Sequence, residues 1–461
     1  MNFLLALKLT ILLCFTNDVF ATNFSLTSES EKSELTLDEA IKLAIKNDPW
    51  LVSNHQMQRS VVSQSISSGR MPDPKVSFDI ANLPTDSFNF NQEMMTQAKI
   101  GFSQKLPRGD ILELRQKELE INASIYPFQR QDREAKIRVL MTELWLSLYK
   151  SQQSIKLIEN DRALFEQLVD VAQASYSSAI GKTRQQDIIR AQLELTRLDD
   201  RLIILKLEKD MAATELFDWI NNDHMNNEEI NINSYQSNLS ASSQLPKIPL
   251  ERMDQLSIIN EQKLYELSLN HPLLKIMTKK MAISENQVLQ AKQSYKPEWD
   301  VRASYAYREN DPRGAERQDF FSIGVTFDIP LFTGNKQDKQ VRSVKQQAQS
   351  IKTKKWLLAK QMLTRYKKDS KQFLRVKQRL KLYTEHLLPQ MQQQAEASLT
   401  AYTNDDGDFS EVVRARIAVL NSNIDFLNIK IKELNLRSHL NYFFTNSIDR
   451  QLSKMLPGEK S

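Results

Sequence analysis

Residues 74–107 read PKVSFDIANLPTDSFNFNQEMMTQAKIGFSQKLP, and residues 297–330 read PEWDVRASYAYRENDPRGAERQDFFSIGVTFDIP. The second stretch repeats the first 223 residues later: Pro74 returns as Pro297, Ile100-Gly101 as Ile323-Gly324, and Pro107 as Pro330. Upstream, Pro49 and Leu51 return as Pro272 and Leu274 at the same step. Self-similarity at a fixed step marks a duplicated structural unit. Each copy holds two runs that alternate apolar and polar residues. Val76, Phe78 and Ile80 alternate with Ser77, Asp79 and Ala81; Ala98, Ile100 and Phe102 alternate with Gln97, Lys99, Gly101 and Ser103. In the second copy Trp299, Val301, Ala303, Tyr305 and Tyr307 oppose Asp300, Arg302, Ser304 and Ala306. Phe321, Ile323, Val325, Phe327 and Ile329 likewise oppose Ser322, Gly324, Thr326 and Asp328. A period of two marks a strand, so two hairpins are expected, with strands at 75–82, 96–106, 298–307 and 320–329.

Helices surround the hairpins. Thr36 followed by Glu39 is a capping box, and Ile41, Ala44 and Ile45 give the helix behind it an apolar face. Asp48-Pro49 breaks that helix, and a second runs from Pro49 to Ser68, ending at Gly69. No glycine occurs between Gly109 and Gly181 or between Gly334 and Gly407, and both gaps are rich in strong helix formers. A continuous helix of roughly 70 residues is about 105 Å long. Pro127 and Pro389 are expected to kink these runs rather than end them. The returning stretches Gln185–Trp219 and Phe409–Phe443 match at a step of 224, and apolar residues recur three or four apart in both. Ile188, Ala191, Leu195, Leu198 and Leu202 answer to Val412, Ala415, Val419, Ser422 and Phe426, a coiled-coil seam used twice.

The chain thus divides into a secretory signal (1–21), a first repeat (22–220), an Asn- and Ser-rich linker (221–249), a second repeat (250–444) and a polar tail (445–461). The signal rests on Lys8, the apolar run Leu9 to Phe15, and Val19-Phe20-Ala21 before Thr22. Cys14, the sole cysteine, leaves with it, so neither disulfide nor thiol chemistry is expected. The remainder has no apolar run long enough for a transmembrane helix; entry into a membrane would have to be as a β-barrel. The charged fraction (26%), hydrophobic fraction (41%) and net charge of +5 over 461 residues are those of an ordinary globular chain. No focused basic patch with stacking aromatics suggests nucleic-acid binding.

Four strands cannot close a barrel, and an open sheet edge is forbidden in lipid. Bacterial outer-membrane barrels have at least ~8 strands, which two copies reach; three copies supply twelve. The runs approach the ~9–11 residues that a tilted membrane strand needs. The lipid-facing side would carry Val76, Phe78, Ile80, Ile100, Phe102, Trp299, Val301, Tyr305, Phe321, Ile323, Val325 and Phe327. The other reading is a half-buried soluble sheet beside a coiled coil, as in a secreted scaffold that never enters a membrane.

Leu35-Thr36-Leu37-Asp38-Glu39-Ala40-Ile41, followed by Asn47-Asp48-Pro49, resembles the N-terminal signature of the TolC-like outer-membrane efflux proteins. So do Asp187-Ile188-Ile189-Arg190-Ala191-Gln192 and Glu411-Val412-Val413-Arg414-Ala415-Arg416 behind the two glycine turns. The resemblance implies a mainly helical homotrimer: a 12-stranded transmembrane β-barrel continued by a hollow α-barrel across the periplasm. It also implies two partners, a periplasmic adaptor and an inner-membrane pump. The protein would be an exit duct, neither an enzyme nor a cofactor binder. Met71-Pro72-Asp73-Pro74, Asn82-Leu83-Pro84, Met94-Met95-Thr96 and the run from Ile100 to Gly109 resemble the cobalt–zinc–cadmium or copper branch. That branch serves resistance–nodulation–division pumps and implies heavy-metal cargo; drug efflux and type I protein secretion are the alternatives.

The resemblance also supplies candidate sites. The family's constriction uses acidic residues just after the second tip, and the matching positions are Glu411, which keeps the charge, and Arg414, which reverses it; Asp187 and Arg190 are the first-repeat counterparts. The turns at Gly181 and Gly407 would contact the adaptor. The five histidines lack metal-ligand spacing, and His271, at the place of Asp48, suits a helix end. One feature fits poorly: residues 339–381 contain fifteen Lys or Arg and one acid, Asp369, against seven and five in the corresponding window 116–158.

Overall fold

The computed structural model describes residues 34–177, 184–221, 239–250, 261–404 and 406–445. The expected signal segment, Cys14, Gly181 and most of the expected linker and tail lie outside the described residues. The first repeat comprises β1 (Glu34–Leu35), α1 (Leu37–Asn47), α2 (Pro49–Ser68), β2 (Lys75–Ala81), β3 (Gln97–Leu106), α3 (Ile111–Ala123), α4 (Tyr126–Ser177) and α5 (Gln185–Ile220). After β4 (Ser240–Ala241) and α6 (Glu261–Ser268), the order helix, two strands, long helix, returning helix recurs. Its members are α7 (Pro272–Gln293), β5 (Trp299–Tyr307), β6 (Phe320–Phe327), α8 (Gln337–Leu382), α9 (Leu388–Thr403) and α10 (Phe409–Phe443).

Local chemistry sets the helix starts. Thr36 Oγ1 accepts from the Glu39 N–H at 3.3 Å, and Glu39 Oε2 accepts from the Thr36 N–H at 3.1 Å, so both halves of the capping box are made. Asp48 caps α2 by accepting from the Trp50 N–H at 3.2 Å. It also receives two bonds from Arg133, at 2.8 and 3.2 Å, whose guanidinium lies over Trp50 and Trp219. In the second repeat His271 takes the capping place: Nδ1 accepts from the Leu273 N–H at 3.2 Å. Nε2 therefore carries the proton and donates to the Tyr442 carbonyl at 3.2 Å. Burial pushes the His271 pKa down to about 4.

That shift has a stability consequence. The native imidazole stays neutral down to about pH 4, whereas the unfolded chain takes up a proton near 6.5. Stability should be full above pH 6.5 and fall by on the order of 3 kcal/mol per chain between pH 6.5 and 4 from this group alone. Urea unfolding over that range checks it. His271→Asn, which keeps a capping side chain, should lose this part of the pH dependence.

The two long runs differ. The second is continuous from Gln337 to Thr403, about 100 Å. Pro389 is absorbed by a single π-helical turn, Tyr383–Leu387, whose wider bonding spares the missing N–H. The first run is broken, contrary to the expected kink. Pro127 has no N–H to give the Ala123 carbonyl and its ring would crowd it, so α3 ends at Ala123 and α4 restarts at Tyr126. The Ser124 hydroxyl donates to the Ile121 carbonyl at 2.6 Å across the break. α4 alone is 52 residues, about 78 Å.

Three apolar clusters follow one another along the helices. Leu37, Ala40 and Ile41 of α1 pack on Met141, Trp145 and Leu148 of α4 and on Leu216 of α5. Beyond them Ile158, Phe165 and Ala172 of α4 meet Ala191, Leu198 and Leu202 of α5 and Phe409, Val413 and Leu420 of α10. The expected first seam is thus in the core, with Ile188 and Leu195 half-buried. α10 meets this cluster through Phe409, Val413 and Leu420 rather than the expected set, of which Val412, Ala415 and Ser422 are buried and Val419 and Phe426 half-buried. The third joins Tyr366 and Phe373 of α8 to Leu436, Leu440 and Phe443 of α10.

Candidate functional site

The four long strands form one antiparallel sheet in the order β2-β3-β5-β6. Directly opposed residues of an antiparallel pair share a face, so the register reads the faces. Phe78, Ile100, Tyr305 and Phe321 make one row; Val76, Phe102, Ala303 and Ile323 make the next. Leu106, Trp299 and Phe327 follow on the same side, and in the row between, polar Gln104 stands opposite Val301, with Val325 beyond it. All twelve residues assigned to lipid thus share one face, and all are exposed, Phe78 to 79% and Ile323 to 70%. The opposite face carries the row Ser77, Gly101, Ser304, Ser322, with Lys75, Asp79, Lys99, Lys105, Asp300 and Arg302 around it. Of all strand residues in this sheet only Ala306 is buried, so no helix among the described residues covers either face. Among the described residues no helix is long and apolar enough to cross a membrane.

The sheet is fastened at both ends. At the helical end Arg108 reaches Asp328 and Lys296 pairs with Asp110 at 2.9 Å. Asp328 accepts from the Glu298 N–H at 2.7 Å, and Pro330 has no N–H to extend the ladder, so β6 stops at Phe327, short of the expected Ile329. At the far end Arg317 pairs with Asp311 at 3.2 Å and donates to the carbonyls of Asn91 and Glu93 at 3.3 and 3.1 Å. Arg308 donates to the Met94 carbonyl at 2.7 Å. These arginines lock the two hairpin loops together; no sequence pattern marked them.

At the opposite extremity the gate candidates stand at the starts of α5 and α10. Glu411 and Arg414 are brought together at 2.6 Å, on the exposed side of one helix turn. Asp187 is buried, its Oδ2 accepting from the Arg184 N–H at 3.0 Å as a helix cap; Arg190 is exposed. Asp408, which the sequence reading passed over, caps α10 through the Ser410 N–H at 3.0 Å. The hydrogen bonds from the Ser410 N–H and hydroxyl, then the charges of Arg184 and Arg414, hold its carboxyl below the usual range. Its place one residue before the helix was the signal that could have found it. Gly407 is required by close approach: a Cβ there would stand 2.6 Å from the Tyr402 nitrogen.

No protein-family model matches the sequence, and no curated protein sequence does. Solved structures do. The outer-membrane channel OprN is similar at a TM-score of 0.70 with 12% identity, over 89% of each chain. The Campylobacter jejuni CmeC outer membrane channel gives 0.70 and 12%, over 91% of this chain and 90% of that one. The Vibrio cholerae outer membrane protein VceC gives 0.70 and 11%, over 88% and 96%. The chain therefore has the fold of outer-membrane channels, as its resemblance to the TolC-like family implied.

Proposed function

We propose that the protein is the outer-membrane exit duct of a tripartite export system, working as a homotrimer with a periplasmic adaptor and an inner-membrane pump. The sheet carries this reading. An apolar face open to the surroundings, a polar face behind it, and unpaired edges at β2 and β6 make a third of a barrel wall rather than a soluble sheet. The helices would form the periplasmic conduit, and no enzymatic step is assigned to it. Cell fractionation tests the reading: the protein should appear in the outer membrane as a detergent-soluble trimer. A soluble periplasmic monomer or dimer would overturn it in favour of a scaffold.

The tip would be both gate and dock. Glu411, Arg414 and Arg190 would exchange partners between chains to hold the end shut, with Asp187 fixing the start of α5 beneath Arg190, and Gly181 and Gly407 would sit in the turns that meet the adaptor. Within one chain the exposed Glu411–Arg414 pair is worth only about 0.3–0.5 kcal/mol, so the gating strength must come from contacts between chains. Replacing both residues with Ala should raise the closed-state conductance of the trimer in a planar bilayer severalfold; an unchanged current removes the gate. Heavy-metal cations as cargo rest on residues 71–74, 82–84, 94–96 and 100–109 alone. Deleting the protein and scanning metal sensitivity against dyes and bile salts tests that narrower reading.

A further inference from the structure

The basic stretch 339–381 does not spread evenly around α8. Lys360, Arg365 and Lys368 converge with Lys432 of α10 on a groove of about 760 Å³ between α4, α8 and α10. Two carboxylates enter it, and both are engaged: Asp369 lies 3.8 Å from Arg365, and Glu143 is 2.6 Å from His439. Lys360 rests over the Trp356 ring at 5.4 Å, and no ion pair engages Lys360, Lys368 or Lys432 among the described residues. Lys371, Arg375 and Arg379 continue from Lys368 at three- and four-residue steps, all exposed, extending the same basic face along the helix.

α4 shows which way the groove faces. α1 and the segment 242–249 cover its Ala135, Arg138 and Thr142 side. Lys136, Leu140 and Glu143, which line the groove or its smaller continuation, lie on a different side, a little over a third of a turn around the helix at about 100° per residue, with Val139 and Tyr442 at the boundary between the two. A closed wall one helix thick has room for an added layer on its outside, where the circumference is free. The groove is then on the inside.

We infer that this groove is part of the lumen wall and binds anionic groups, so that the duct passes anions, including the carboxylates, sulfonates or phosphates of organic cargo, in preference to free cations. The inference rests on the exit-duct reading. Each lysine would appear three times around the lumen, and a cleft with low-dielectric walls concentrates ions of the opposite charge. Screening confines the effect to about 8 Å at physiological salt, so it acts on ions passing near the wall and is largest in dilute buffer. Uncomplexed metal cations are disfavoured by the same field, in opposition to the heavy-metal reading.

The test is the reversal potential of the purified trimer in a planar bilayer under a KCl gradient at low ionic strength. The native protein should give the sign of a channel in which chloride is more permeant than potassium. K360E/K368E/K432E should invert that sign, and K360Q/K368Q/K432Q should fall between, each checked to be trimeric by size-exclusion chromatography. A cation-selective native channel, or trimeric variants with the native reversal potential, would overturn the inference and leave the duct standing. A trimer that conducts neither in its native form nor with Glu411 and Arg414 replaced by Ala would overturn the duct and the inference together.

Discussion

Arginine in place of Ile323 is expected to abolish assembly into the outer membrane, while arginine in place of the adjacent Ser322 leaves it intact. Ile323 sits in the apolar row with Val76, Phe102 and Ala303, and Ser322 in the polar row with Ser77, Gly101 and Ser304. An arginine on the lipid side of a membrane barrel costs roughly 2–4 kcal/mol near the midplane, and a trimer incurs that cost three times. On the polar side the same charge would meet water. Both positions are exposed in the single chain, so a soluble scaffold would tolerate both arginines alike. Quantifying trimer in outer-membrane fractions for the two variants decides the matter; equal recovery would refute the lipid-facing assignment.

Trp145→Ala is the second large effect. The ring is 1% exposed, stacks on Tyr149 at 5.5 Å, and donates its N–H to the Leu35 carbonyl at 2.8 Å. Truncating a buried tryptophan costs about 3–5 kcal/mol. Leu35 keeps a second donor, the Ser242 N–H at 3.1 Å, so the loss is chiefly of packing. Trp145 is where α1, β1 and β4 fasten to the long helix, and the damage should be local as well as global. Urea unfolding should show the stability loss, and hydrogen exchange should speed up at residues 34–47 and 239–250 before the rest of α4. Unchanged exchange there would mean that the layer is held by other contacts.

The hairpins, the capped α1, the break at Pro49 and the returning helices were legible because each is written in local spacing: period two, a capping box, a proline, a three-to-four repeat. The break before Pro127 was misread because Pro127 and Pro389 look alike in sequence. Only the structure shows that one interrupts a helix and the other is absorbed by a π-helical turn. The two-residue parallel pairing of β1 with β4 joins Glu34 to Ser240 across the whole first repeat and leaves no periodic trace. The same holds for Arg317 and Arg308, each of which donates to backbone carbonyls of the other hairpin. The basic run of α8 was visible as an excess, but the groove needs Lys432 and Glu143 from distant segments.

The pairing of β3 with β5 has a further consequence. It joins the second strand of one repeat to the first strand of the next, with Gln104 opposite Val301 and Phe102 opposite Ala303. Shifting that register by the 223-residue step sets Phe327 of β6 opposite Phe78, and Val325 opposite Ile80, on the β2 strand of the next copy. All four are apolar and on the apolar face of the sheet. In the proposed trimer each chain would thus already contain, made permanent by the continuity of the chain, one example of the junction by which chains join one another. A ring of six near-equal units would then have half its seams formed at synthesis, and only the remaining half would depend on encounter.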